Sequence, residues 1–356
     1  MTTLSLRRNA SILRAVGLAG LLALAVLALP APAAAQPFGA WFTLSGPTEG
    51  YIRIPHSPAL NPTNRFTLEA WVAITDPNGC STIAAKDYTR AWWVGVCGNE
   101  LRSYLKGTSS VQDGGIVPSG WTHIAVVFNG TRRLHYINGE VVLNVPETGP
   151  LTTDNADMRI GSELDFPFSP QGSIDEVRLW SVARTQAQIR QFINRPITAP
   201  LPGLVGVWAL NGNADDVVGS HDGTVGGSGT GFLTFPVAFN CLGSESALCL
   251  QDRFVISAKY RTGGPGNVET AESAQGSTAT SGILAFPNAD TWQVLANVIN
   301  ACSTSGKFTV ALSSPSSLFQ RIEVFDIRAG VARIYFRYPG PPAAPVIDTA
   351  SFTNCP

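Results

Sequence analysis

Trp121-Thr122-His123-Ile124-Ala125-Val126-Val127-Phe128-Asn129-Gly130 runs on to Leu134-His135-Tyr136-Ile137-Asn138-Gly139-Glu140. An apolar strand ends at Asn-Gly, a second strand follows, and another Asn-Gly closes it. Turns that match the twist of paired strands need positive φ, which Asn and Gly tolerate, so Asn-Gly between apolar runs is a strong hairpin signal. The stretch predicts antiparallel hairpins. Its neighbours have the same texture. Tyr51-Ile52-Arg53-Ile54 alternates, and Phe66 to Ile74 alternates with Phe66, Leu68, Ala70, Val72 and Ile74 on one face. Thr82-Ile83-Ala84-Ala85, Trp92-Trp93-Val94-Gly95-Val96 and Leu101 to Leu105 continue the pattern. Helical spacing shows only at Thr185 to Phe192, enough for one or two turns.

Short strands at regular spacing, separated by turn residues, argue for a two-sheet sandwich. Alternate faces then pack between the sheets, with Trp71, Trp121 and Trp180 expected to supply much of the core area. Charged residues are 14% of the chain, while Gly and Pro number 35 and 25, a turn-rich balance that fits an all-β fold. Residues 1–35 read as an export leader: Arg7, Arg8 and Arg14, an apolar run from Ala15 to Leu29, then Ala33-Ala34-Ala35. That apolar run is short of the roughly twenty residues of a membrane span, so a mature chain with no span is expected. Its removal takes three arginines and no acids, moving the formal charge from −1 to −4. With no basic excess to meet phosphates, nucleic acid is an unsuitable partner.

All six cysteines, Cys80, Cys97, Cys241, Cys249, Cys302 and Cys355, follow the leader. An even count in an exported chain reads as disulfides. A Cys80–Cys97 bridge would join neighbouring strands and contribute about 3 kcal/mol in the chain-entropy model. The other four cysteines allow three pairings and the sequence does not choose, although Cys302–Cys355 would pin the chain end. From Ala238 onward the composition shifts, and Arg253–Tyr260, Trp292–Val298, Lys307–Leu312, Arg321–Ile327 and Ala332–Tyr338 read as strands of a second β module. The expected division is a leader at 1–35, a sandwich at 38–236 and a smaller module at 237–356. Gly226-Gly227-Ser228-Gly229-Thr230-Gly231 is read as the linker.

Trp121 to Glu140, Phe66-Thr67-Leu68-Glu69-Ala70-Trp71-Val72 and Ile174-Asp175-Glu176-Val177-Arg178-Leu179-Trp180 together resemble the laminin-G-like and pentraxin-like branch of the concanavalin A-type jelly rolls. The likeness covers about 160 residues and extends over Ala183-Arg184-Thr185 to Ile189. It implies a concanavalin A-like jelly roll followed by a smaller disulfide-bonded β domain. The cysteine-bearing end of the chain, closing on Asp348 to Pro356, resembles a module found at the C-terminus of secreted bacterial proteins. Domains of the jelly-roll branch bind glycans or proteins and are seldom catalysts.

The resemblance also implies a calcium site. Pentraxins hold calcium with a Glu-Gln-Asp run, and Ile160-Gly161-Ser162-Glu163-Leu164-Asp165 is similar to it. Carried over, Glu163 and Asp165 give carboxylates and Leu164 a carbonyl, the hard oxygen donors that Ca²⁺ takes. The Asp-Asn pair that pentraxins add is missing from Thr89-Arg90-Ala91-Trp92, with Asp87 as the nearby replacement, and Gln171 is the candidate for their later Gln ligand.

For ligand contact, Trp92 and Trp93 are candidates. Adjacent strand residues point to opposite faces, so one is expected in the core and the other outside, stacking on a sugar or packed under a loop. Glycoside hydrolysis needs two carboxylates facing a cleft. The Glu-x-Asp-x-(x)-Glu run of strand-borne hydrolases is absent, and Asp175 and Glu176 are adjacent and expected on opposite faces. His123 sits in a strand with no Gly-x-Ser-x-Gly anchor elsewhere, and there is no phosphate loop or zinc spacing. The expectation is therefore a secreted, non-catalytic module that recognises a glycan or an extracellular surface protein, with Ca²⁺ as its assisting ion. A structural or adhesive component is the second reading and a hydrolase of the same fold the third.

Overall fold

A computed structural model describes residues 39–44, 50–75, 79–108, 111–163, 171–238, 240–263, 268–274, 276–286 and 292–356. The leader expected at 1–35 lies outside them, as do Leu164 and Asp165. The two Asn-Gly turns differ. Asn138 and Gly139 take φ of 50° and 74° and Ile137 pairs with Glu140, the two-residue loop that strand twist favours. At the other turn Phe128 pairs with Arg133, and Gly130 sits at φ 95°. The Asn129 carboxamide oxygen accepts from the amides of Thr131 and Arg132 at 3.0 and 2.8 Å.

These hairpins belong to an eight-stranded antiparallel sheet. Its order is Glu140–Pro146, Arg132–Ile137, Thr122–Phe128, Phe66–Ile74, Gly172–Trp180, Trp41–Leu44 and Thr230–Leu233, with Leu204–Trp208 also pairing with Gly172–Trp180. Facing it is a seven-stranded sheet in the order Thr224–Gly226, Tyr51–Ile54, Met158–Gly161, Cys80–Lys86, Trp92–Cys97, Glu100–Leu105 and Val111–Ile116. The all-β sandwich expected from the alternation is present. Phe66, Leu68, Ala70 and Val72 enter its core with Trp92 and Trp208. Helix Gln186–Phe192 starts on a capping box, with Thr185 and Gln188 bonding reciprocally.

The assignment of Trp71, Trp121 and Trp180 to the inter-sheet core is corrected. Trp71 and Trp121 pack with Ile193, Ile334 and Phe336, and Trp180 packs with Ile197 and Val207. Strand Phe66–Ile74 is buried on both faces, so its alternation separates two faces without saying which one meets the partner sheet. The glycine-rich linker is also corrected. Gly226 lies in the strand that joins the seven-stranded sheet, and Thr230 and Gly231 lie in one that joins the eight-stranded sheet. Gly227 and Gly229, at φ 78° and 70°, supply the conformations the bend between them needs.

Further along, Ala247–Leu250, Phe254–Arg261, Phe319–Asp326 and Val331–Arg337 form a third sheet, to which Glu269–Thr270 pairs. Glu272–Ser273, Ser281–Ala285, Trp292–Ala301, Lys307–Ser313 and Val346–Phe352 form a fourth. A core including Phe254, Tyr260, Val310, Phe308 and Ile322 lies among them. Three disulfides are made: Cys80–Cys97, Cys241–Cys249 and Cys302–Cys355. The first joins residues directly opposite in register. The third closes a long segment, worth about 4 kcal/mol in the chain-entropy model. Beside it the Arg253 guanidinium holds Asp326 through two bonds of 2.7 Å in a buried site.

Candidate functional site

The two outer faces of the first sandwich have different surroundings. That of the eight-stranded sheet is covered. Trp71 donates its indole N–H to the Ile193 carbonyl at 3.1 Å and stacks on Phe336 at 6.0 Å. Arg261 holds both Glu140 oxygens at 2.8 and 2.7 Å, and the Arg190 guanidinium lies 3.6 Å from the Tyr338 ring centroid. Glu69, His123, Asp175, Glu176 and Arg178 are all buried here. His123 Nε2 lies 3.5 Å from Glu69 and Arg184 Nε lies 3.2 Å from it. Burial pushes the His123 imidazole below its ordinary pKa, against the pull of Glu69. Burial pushes Glu69 up, but the His123 bond and the Arg184 charge outweigh it and hold the carboxyl low.

The adjacent acids do not lie as ordinary alternation would place them. A bulge after Asp175 and a φ of 50° at Glu176 break the alternation, and Glu176 pairs with Arg178 at 2.8 Å. Both acids are buried, and both lie near enough to Arg333 to act on its charge. Both carboxylates are thus shielded from solvent, and Glu176 is held by Arg178. His123 is likewise buried and packs edge-on against Trp71.

The seven-stranded sheet carries a row of outward residues in direct register: Arg53, Arg159, Ala85, Trp93 and Tyr104. The parity is set by their neighbours, since Ile52, Ile54, Met158, Ile160, Trp92 and Val94 fill the core. Trp93 lies flat across Gly95, where an added Cβ would come within 2.4 Å of the ring. Its indole N–H donates to Thr82 Oγ1 at 2.9 Å and Tyr88 meets it edge-on. Trp92 enters the core and Trp93 points to the other face as expected, but both are buried, at 1% and 3% exposed, so Trp93 packs beneath Tyr88 and is not open to stack on a sugar. Trp93 is the floor of the face rather than its contact surface. The rings that reach solvent are Tyr51, Tyr88 and Tyr104, each partly exposed, with Tyr88 and Tyr104 paired at 4.9 Å.

Glu163 ends up next to this floor. It is buried and accepts a hydrogen bond from the Tyr88 amide. Asp87, the replacement ligand considered above, accepts from the amides of Thr89 and Arg90 and pairs with the Arg90 guanidinium at 2.7 Å. Its carboxylate is spent on its own turn, at a φ of 50°. Among the described residues no three His, Cys, Asp or Glu side chains converge on one point. Of the three expected ligands for Ca²⁺, which takes six to eight oxygens, only Glu163 lies among the described residues. The buried Lys86 ammonium lies nearby, 3.0 Å from His56 Nδ1. Burial lowers its pKa while Asp154, Asp157 and Asp87 oppose the shift. Two clefts lie at the rim. One of about 440 Å³ is lined by Arg90, Thr153, Asp154, Asn155 and Ala156. The other, of about 520 Å³, is mainly apolar and lies around Ile74, Val96, Ile116 and Pro118.

Sequence reasoning missed Tyr51, Tyr88, Tyr104 and Arg159. The available signal was parity: in Tyr51-Ile52-Arg53-Ile54 and Met158-Arg159-Ile160 the residues between core positions point outward.

Residues 46–190 match the laminin-G model of the concanavalin A-like lectin/glucanases superfamily. This segment is a concanavalin A-like, laminin-G-like domain, and it contains Tyr51, Tyr88, Trp93, Tyr104 and Arg159. Over 108 residues the chain is 33% identical to mouse pappalysin-1, covering 28% of this chain and 6% of that protein. A candidate carbohydrate binding protein from Bacteroides ovatus shares 19% identity over 55% of this chain and 60% of its own, at a TM-score of 0.44. Domains LG4-5 of the mouse laminin alpha1 chain share 12% identity over 92% of this chain and 91% of theirs, at a TM-score of 0.34. Among the described residues no helix is long and apolar enough to cross a membrane.

Proposed function

We propose that the protein is an extracellular, non-catalytic module that binds a glycan on the outer face of the seven-stranded sheet. The observation that carries this is the contrast between the faces: one is sealed, while the other presents Tyr51, Tyr88 and Tyr104 to solvent over a fixed Trp93 floor. Tyr rings offer a flat apolar surface with a polar tip, which suits the apolar faces and hydroxyl edges of sugars. The match of this segment to a superfamily described as lectins and glucanases supports the same reading. Burial of Asp175 and Glu176, with Glu176 ion-paired to Arg178, argues against the glucanase branch. All six cysteines are paired, which supports an oxidising, extracellular location.

A broad glycan array probed with the full mature chain tests the proposal. Wild type should give hits that Tyr88→Ala and Tyr104→Ala diminish. An array on which wild type shows no signal would sink it and favour the second reading, a structural component in which the sandwich is a spacer. The tight packing around Trp71, Ile334 and Phe336 would suit such a spacer. Release of reducing sugar from a polysaccharide would favour a hydrolase instead.

A Ca²⁺ ion at Glu163-Leu164-Asp165 is a separate proposal. It requires the Asp165 carboxylate and the Leu164 carbonyl to join Glu163. Calorimetric titration with Ca²⁺ checks it: heat in wild type and none in Glu163→Ala supports the ion, and no heat in either rejects it.

A further inference from the structure

The arginines on the outer face of the seven-stranded sheet are not equivalent. Arg53 bonds Asp157, and Arg102 pairs with Asp113. At the rim Arg90 pairs with Asp87 and lies 3.4 Å from Asp154. Arg159 stands apart. It has no carboxylate within ion-pair distance and no hydrogen-bond partner among the described residues, and its buried Nε is left unmatched. Its one contact of note is the Tyr51 ring, whose centroid lies 3.8 Å from the guanidinium carbon. That ring in turn lies over Gly226, where an added Cβ would come within 2.6 Å of it. Backbone, ring and guanidinium are thus layered. The cation is held against the ring, has one buried donor, and has no carboxylate partner among the described residues.

We infer that Arg159, laid on Tyr51, is a subsite for the carboxylate of an acidic sugar within the glycan face. A guanidinium presents a planar fork of donors that matches a carboxylate in two parallel bonds. Stacking on an aromatic face keeps that fork oriented and reduces the order lost on binding. In the same register row, Ala85 leaves a low point before Trp93 and Tyr104. At about 4.8 Å between strands, Arg159 lies roughly 10 Å from Trp93 and roughly 14 Å from Tyr104. A short oligosaccharide laid across the strands would place its carboxylate at Arg159 and a neighbouring ring against Tyr104 and Tyr88. The inference rests on the glycan-binding reading and adds the charge of the ligand to it.

The test is an array of uronate-containing and sialate-containing oligosaccharides, each printed beside its carboxyl-reduced form, with poly-L-glutamate as a non-sugar polyanion. Wild type should prefer at least one acidic glycan over its reduced counterpart by about tenfold or more, since hydrogen bonds to charged groups carry that much discrimination. Arg159→Gln should lose the preference yet keep wild-type melting and the weaker binding of the reduced form. Arg159→Lys, with the charge but not the fork, should recover only part of it. The uronate and sialate arms show which acid is read. Equal binding of acidic and reduced forms overturns the inference and leaves the glycan reading standing. So does an unchanged Arg159→Gln, and poly-L-glutamate bound as tightly as the sugars reduces it to bulk attraction. Failure to bind any glycan, acidic or neutral, removes both.

Discussion

The first sandwich presents two outer faces, built from the same kind of strand, and they use charge in opposite ways. Beneath helix Gln186–Phe192 and strand Val331–Arg337, the eight-stranded sheet buries Glu69, His123, Glu176, Arg178 and Arg184 within one packed layer. Charges taken out of water must be matched, because the desolvation penalty is several kcal/mol per ion. On the seven-stranded sheet Arg53 and Arg102 are also matched, but at exposed sites, where pairs are worth little. Arg159 is matched by no carboxylate among the described residues. Closed faces settle their own charges, and an open face can leave one for a ligand.

Perturbing the closed face should cost the most. Trp71→Ala removes the indole from between Ile193 and Phe336 and should destabilise the protein by about 4 kcal/mol, read from urea denaturation. A loss below about 1 kcal/mol would mean the cover is loose. The next effect is set by pH inside the sandwich. His135 lies between the sheets, 2.8 Å from Ser103 Oγ, and burial lowers its pKa to about 4. It stays neutral in the fold while the unfolded chain takes a proton below about 6.5. Its contribution is therefore complete above pH 6.5 and is lost as pH falls toward 4, by up to about 3 kcal/mol. Denaturation curves across that window should steepen accordingly, and His135→Gln should flatten the slope.

Glu140→Gln breaks the ion pair with Arg261 and leaves a mostly buried guanidinium without its anion. A cost of about 2 kcal/mol is expected, measured by the same denaturation assay. If the variant is as stable as wild type, that pair is a surface contact in practice. Smallest in stability is Tyr104→Ala on the open face, expected to move unfolding by under about 0.5 kcal/mol. It should weaken glycan binding about fivefold, since an aromatic contact of this kind is worth about 1 kcal/mol. A stability loss without a binding change would reverse the comparison at that position.

Much of this contrast was latent in the sequence, and some of it was not. Alternation in Phe66–Ile74 located the strand and divided its two faces, and Asn138-Gly139 set a register that the structure keeps. The partner of each face was not legible. Trp71 and Trp92 are both apolar strand residues, and only the tertiary arrangement sends Trp71 under Ile334 and Trp92 between the sheets. The Gly226 to Gly231 run looks alike as a linker or as the bend between strands of two sheets, because composition records freedom of φ and not pairing. The open face was hidden for a further reason. Trp93 and Tyr104 meet across adjacent strands, but Arg159 joins their row only through the pairing of strands far apart in the chain, and a bulge can undo parity, as it does between Asp175 and Arg178.

The Cys302–Cys355 bridge has a mechanical consequence. Among the described residues strand Val346–Phe352 is the edge of its sheet, paired only with Lys307–Ser313, and a pull on Pro356 would ordinarily unzip such an edge one bond pair at a time. The bridge diverts that load. Tension entering at Cys355 crosses the covalent link to Cys302 and continues directly into strand Trp292–Ala301, bypassing everything between residues 303 and 354. A chain tethered through its C-terminal end would resist flow or drag through a strand held on both sides, with its weakest edge carrying no force.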